Sequence, residues 1–259
     1  MNAQSMPGYF EHVRTKTYID NYPEHTVRLD ELRNATIIEL GCGVGNDALF
    51  LLGQVGVDPS RLFLVESDPL IFTEALDNLE SGGWSPYDLG GVFMEGVFEL
   101  TLPDGIAEVV YANNFLHCLG YHTTVEEAEV MAFQISARLG RRIQPEWEGA
   151  AKRTPEQRIE SAVRKAWNLL RQDGIFFGRT LSDRLDHAEI QILEGKTTLS
   201  ERERFALKTA HALQTGELVG IQPEELEQYG KRAGFKKTLI QIRPTREKPT
   251  QDYYFRFEK

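Results

Sequence analysis

Thr36-Ile37-Ile38-Glu39-Leu40-Gly41-Cys42-Gly43-Val44-Gly45-Asn46 is the stretch that decides how the rest of the chain is read. Thr36 to Leu40 are mostly β-branched or apolar, the composition of a parallel strand buried on both faces. Three alternating glycines follow. Only glycine lets a backbone turn this tightly while a ligand lies against it. The run Asp47-Ala48-Leu49-Phe50-Leu51-Leu52 then reads as a helix. Strand, glycine turn and helix N-terminus in succession bring backbone N–H groups and the positive end of a helix dipole to one point.

Small differences separate the ligands such a unit can hold. A dinucleotide fingerprint, G-x-G-x-x-G, needs a glycine at position 46, and Asn46 stands there instead. Glu39 lies two residues before the first glycine. A carboxylate there offers a pyrophosphate little and a cationic ligand a good deal. Glu39-Leu40-Gly41-Cys42-Gly43-Val44-Gly45-Asn46 resembles the first motif of class I S-adenosylmethionine-dependent methyltransferases. The resemblance implies S-adenosylmethionine as cofactor, with Glu39, Gly41, Cys42, Gly43, Gly45 and Asn46 around it. Its sulfonium and amino group suit an acidic pocket free of phosphate. The same resemblance implies an α/β fold: a seven-stranded, mostly parallel sheet, helices on both faces, an antiparallel last strand, and helical inserts forming a lid.

Arg61 to Val65 reads as the second strand, with Glu66 and Ser67 at its carboxyl edge. An acid at that edge can accept both hydroxyls of a ribose. Asp68 precedes Pro69 and has a structural task as a helix N-cap, so Glu66 is the ribose candidate and Asp68 the fallback. The third strand lies near Gly91 to Met94. The resemblance puts the adenine at its end, with Glu95 and Gly96 beside it and Glu99 as the alternative acid. Ala107 to Tyr111 is the fourth strand. The Asn113-Asn114-Phe115-Leu116-His117 segment after it resembles the family's fourth motif, which faces the methionine part of the cofactor and the incoming acceptor. Open α/β sheets bind ligands outside the carboxyl ends of their strands, which points to the same place. His117 is the candidate base, able to take a proton from an acceptor oxygen or nitrogen; its other reading is a hydrogen bond within a helical turn.

At 259 residues the chain suits one α/β domain with embellishments. Residues 1–34 read as an N-terminal helical cap and 35–259 as the cofactor-binding domain, with helical inserts at about 120–165 and 184–220. Tyr18 and Tyr22 in the cap, Tyr121 after the fourth strand and His187 in the second insert are candidates for lining the acceptor site; the two cap tyrosines could instead pack on the sheet, and His187 could be surface or lid packing. His211 lies in the same insert. Thr154 with Pro155 and Gln157, Ser200 with Glu203, and Pro223 with the Ala233-Gly234 pair mark helix boundaries. Leu169 to Gly178 reads as helix, turn and fifth strand. Strands Lys237 to Ile242 and Tyr253 to Phe257 form a closing pair.

A net charge of -10 disfavours duplex or bulk RNA as a partner. Basic residues outnumber acids between Arg138 and Arg171, which could greet an acidic acceptor or simply solvate a helix face. Nothing resembles a membrane span or a secretory leader, so a cytoplasmic location is expected. Cys42 and Cys118 make neither a disulfide framework nor a metal cluster. The expected activity is methyl transfer to an oxygen or nitrogen of a small-molecule acceptor. Protein or RNA methylation is the alternative, and a non-catalytic binding protein on the same fold a second one. A homodimer is compatible with all three.

Overall fold

Ile37–Leu40 forms β1, and all four of its residues are buried. In the computed structural model, which describes residues 29–98, 100–113, 115–120, 154–242 and 249–259, β1 is an inner strand of a seven-stranded sheet. The others are β2 (Leu62–Val65), β3 (Gly91–Phe93), β4 (Ala107–Asn113), β5 (Leu170–Leu185), β6 (Lys237–Ile242) and β7 (Thr250–Glu258). Their order is β3-β2-β1-β4-β5-β7-β6. β1 pairs in parallel with β2 and β4, β2 with β3, and β4 with β5. β7 runs antiparallel to both β5 and β6. The winding reverses between β1 and β4, and the crevice above their carboxyl ends is where such sheets take ligands.

Alternate residues of the central strands feed two cores. Ile38, Leu40, Val110, Ala112, Phe176 and Phe255 face α4 (Pro155–Leu169) and α7 (Pro223–Ala233). Ile37, Val109, Tyr111, Phe177 and Tyr254 belong to the opposite face. There they meet α2 (Asn46–Phe50), the π-helical turn Leu51–Val55 that prolongs it, and α3 (Pro69–Ser81). The short helix α1 (Leu29–Arg33) leads into β1. α5 (His187–Glu194) and α6 (Glu201–Thr215) lie between β5 and α7.

The helix boundaries follow their capping chemistry. Asp68 caps α3, its carboxylate accepting from the N–H groups of Leu70 and Ile71, with Pro69 at the first position. Thr154 with Gln157 and Ser200 with Glu203 close capping boxes at α4 and α6. α7 ends on Gly234 at φ 109°, a left-handed cap that favours glycine.

The fifth strand differs from its sequence reading. Instead of beginning after a turn at Asp173-Gly174, β5 starts at Leu170, opposite Ala107, and resumes its register with Ile175 opposite Val109. The intervening residues bulge, and Asp173 takes φ 63° to do so. β5 then runs on to Leu185. Ser182, Asp183 and Arg184 look like loop residues by themselves, but β7 supplies a ladder that reaches Leu185 opposite Thr250. Cross-strand pairing overrides their weak strand propensity.

Candidate functional site

The glycine loop is held in left-handed backbone, with φ 68° at Gly41, 55° at Gly43 and 80° at Gly45. The N–H groups of Gly41 and Cys42 both donate to the Val65 carbonyl, at 2.8 and 3.0 Å, which ties the loop to the tip of β2. Gly45 caps α2 and passes close to Ala75 of α3. A Cβ on Gly41 would come within 2.4 Å of the Phe115 ring. Gly43 is different: a Cβ there would meet nothing within 4 Å. The middle of the loop is bare backbone bordering open space.

Glu66 reaches this point from the end of β2. One carboxylate oxygen accepts from Gly43 N–H at 3.1 Å and the other from Asp68 N–H at 3.0 Å. Burial raises its pKa, opposed by those backbone hydrogen bonds. The Asp68 carboxylate is engaged in its own helix cap at 2.8 Å from Leu70 N. Ser67 is exposed beside Glu66.

Glu39 is 2% exposed, and its Oε2 has no hydrogen-bond partner among the described residues. Burial first, then the carboxylates of Asp47 and Glu66, raises its pKa well above the usual range. Asp47 is the member of this group that sequence reasoning missed. An acid in the first turn of a helix reads as an ordinary partner for the dipole. Here Asp47 is buried, and its Oδ2 accepts from Tyr111 Oη and Asn113 Nδ2, each at 2.8 Å. Asn113 is thus drawn to the glycine loop from the tip of β4. Asn46 opens α2 beside them.

Glu95 and Gly96 follow β3, whose Phe93 carbonyl accepts from Glu66 N–H at 3.0 Å. Glu95 turns back on its own loop, accepting from Thr101 N–H at 3.3 Å. Asn114, Glu99, Tyr18, Tyr22 and Tyr121 lie outside the described residues.

His117 sits in a 3-10 turn after β4 and is 6% exposed. Its Nδ1 lies 3.3 Å from Thr180 Oγ1, and its backbone carbonyl accepts from Val219 N–H at 2.9 Å. Burial, helped by the Arg179 guanidinium and opposed by Asp252, lowers its pKa to about 3. The imidazole is therefore neutral near pH 7. His187 is exposed at the first position of α5, behind the Asp186 cap. His211 bonds Glu194 at 2.9 Å and links α6 to α5. Among the described residues, no group of three His, Cys, Asp or Glu side chains could hold a metal ion, and no helix is long and apolar enough to cross a membrane.

No protein-family model matches the chain, and no curated protein matches its sequence. Solved structures match its fold. A geranyl diphosphate methyltransferase in complex with GPP and sinefungin aligns at a TM-score of 0.55 and 8% identity, covering 95% of this chain and 80% of that one. A SAM-dependent methyltransferase from Methanosarcina mazei aligns at 0.51 and 12% identity over 93% and 96% of the two chains. The [4+2]-cyclase SpnF aligns at 0.56 and 15% identity over 94% and 80%. Over nearly its whole length the chain has the fold of the class I S-adenosylmethionine-dependent methyltransferases. The cyclase shows that this fold is not confined to proteins named for methyl transfer, so activity has to be argued from the site.

Proposed function

We propose that this protein is a cytoplasmic S-adenosylmethionine-dependent methyltransferase acting on an oxygen or nitrogen of a small-molecule acceptor. The observation that carries the reading is the Glu39 carboxylate oxygen, unpartnered among the described residues and buried with Asp47 and Glu66 around a glycine loop left open at Gly43. Buried carboxylates without cations are unfavourable. A ligand with ammonium and sulfonium charges and no phosphate relieves that cost, whereas a pyrophosphate adds to it. The sinefungin complex of the geranyl diphosphate enzyme supports the same ligand class.

The cofactor supplies a methyl group on a cationic sulfur. The protein's part is positional, because the leaving thioether departs neutral and no new anion needs stabilising. Glu66 would hold the two ribose hydroxyls, Glu39 and Asp47 the ammonium, and Glu95 and Gly96 would border the adenine. His117, its Nδ1 3.3 Å from Thr180 Oγ1, would stand beside the acceptor with Nε2 left to take the proton. A base of pKa about 3 does not ionise an alcohol in advance. It can accept a proton from an oxonium once transfer is under way. The excursion through α5 and α6 returns over this point, with Val219 bonded to His117 and Ile221 N–H donating to the Leu181 carbonyl at 3.0 Å. That excursion would help to exclude water from the acceptor site.

Calorimetric titration with S-adenosylhomocysteine tests the reading. Wild type should bind at micromolar concentrations, and Gly43→Val and Glu66→Ala should each lose binding at least tenfold. Full affinity in both variants would place the ligand elsewhere. A folded wild type that binds neither S-adenosylhomocysteine nor S-adenosylmethionine would support a non-catalytic protein on this fold.

A further inference from the structure

The insert between β5 and α7 carries a groove that the proposed reaction does not use. α6 forms one wall, and the cavity measures about 330 Å³, within the range of small-molecule sites. Leu199, Leu207 and Ala212 line it with half-buried apolar surface, while Arg204, Lys208 and His211 stand exposed along it. Positions 204, 208 and 211 are four and three residues apart, so they share one stripe of the helix. Arg204 and Lys208 are like charges at adjacent places on that stripe, an arrangement that weakens a helix. Neither makes an ion pair among the described residues, whereas Lys196 pairs with Glu203 at 2.6 Å and His211 with Glu194 at 2.9 Å. The chain has 39 acids against 29 lysines and arginines, so the two unpaired cations do not reflect a shortage of carboxylates.

The groove also has a direction. Arg204 and Lys208 mark its cationic end. Toward the other end His211 is already held by Glu194, and Glu217 adds a negative charge. An anion is drawn to Arg204 and Lys208, and the apolar residues offer nothing to a second polar group. A fitting molecule therefore has one negative group and an apolar body. A bare phosphate leaves the apolar wall wet, and a polyanionic partner meets the repulsion of a chain of net charge -10.

One wall of the groove connects to His117. The Ala212 carbonyl accepts from Leu218 N–H at 3.0 Å, and the next residue, Val219, donates its N–H to the His117 carbonyl at 2.9 Å. A molecule packed on Ala212 bears on the segment that carries both bonds.

We propose that the α6 groove is a binding site for a small organic anion, with a carboxylate or phosphate on Arg204 and Lys208 and hydrocarbon against Leu199, Leu207 and Ala212. None of these residues belongs to the cofactor crevice, and the proposal does not rest on the methyltransferase reading.

Octanoate and octyl phosphate are the probes, with octanol, octylammonium and inorganic phosphate as controls. Calorimetric titration of wild type should show at least one octyl anion binding below about 1 mM, the tighter of the two naming the anion class, and each control binding at least tenfold more weakly. The double variant Arg204→Gln/Lys208→Gln should lose at least tenfold in affinity for that anion. Both positions are exposed, and an unchanged urea midpoint shows that the variant is folded. Hydrogen exchange of the Leu218 and Val219 amides should slow when wild type binds the anion. Undiminished affinity in the double variant overturns the assignment, as does binding that leaves both amides unaltered. Inorganic phosphate bound as tightly as octyl phosphate marks charge alone, and octanol bound as tightly as octanoate marks an apolar patch alone; either result overturns it too. A wild type that binds phosphatidylglycerol vesicles and neither free anion makes the groove a lipid-facing surface, and one that binds nothing removes the site.

Discussion

Glu39 shows how one residue can be legible in type and illegible in consequence. Its position before the glycines is plain from the sequence. Its confinement with Asp47 and Glu66 is not, because Asp47 reaches the cluster only through α2 and its bonds to Tyr111 and Asn113 on β4. The raised pKa of Glu39 means that the folded protein holds this proton more tightly than the unfolded chain does. Stability then falls as pH rises above the unfolded value, by about 1.4 kcal/mol per unit for as long as the proton stays bound in the fold. Glu39→Gln has no proton to lose. Its stability relative to wild type should therefore grow between pH 5 and pH 8, read by urea unfolding, while its affinity for S-adenosylmethionine drops. Parallel pH curves for the two proteins would show that Glu39 is not held protonated. Arg179 and Asp252 were invisible for a related reason. Their pairing depends on β7 folding back beside β5, across a separation in sequence that no local pattern reveals.

At the scale of elements, signals carried by the backbone were read well and signals carried by partners were not. The glycine loop, the Asp68-Pro69 start of α3, the capping boxes at Thr154 and Ser200 and the glycine end of α7 all follow from local hydrogen bonding. The bulged start and long end of β5 follow instead from β4 and β7, and polar residues there gave no sign of a strand. α6 offers a test of the local kind. Ser200 accepts from Glu203 N–H while the Glu203 carboxylate returns to Ser200 N–H at 2.8 Å. Ser200→Ala should cost about 1 kcal/mol. The loss should appear as faster hydrogen exchange in α6, with β1 and β4 unchanged. Equal protection of α6 in both proteins would mean that tertiary contacts, not the cap, hold its first turn.

For the whole molecule, the fold could be read from one motif because the cues of that motif are local: a buried strand, bare backbone and a helix start; the proposed cofactor rests on the same motif and its acid. The proposed acceptor side is less legible, since the groups gathered there, His117, Thr180 and the returning segment at Val219, are far apart in sequence. The account rests on the claim that the crevice between the tips of β1, β2 and β4 holds a cationic thioether nucleoside over the open backbone at Gly43. A crystal structure of the protein with S-adenosylmethionine tests this most directly. The account predicts the ribose hydroxyls on the Glu66 carboxylate, the amino-acid end toward Glu39, Asp47 and Asn113, and the glycine loop otherwise unmoved. A crevice closed by protein side chains, or a ligand bound away from Gly43, would contradict it.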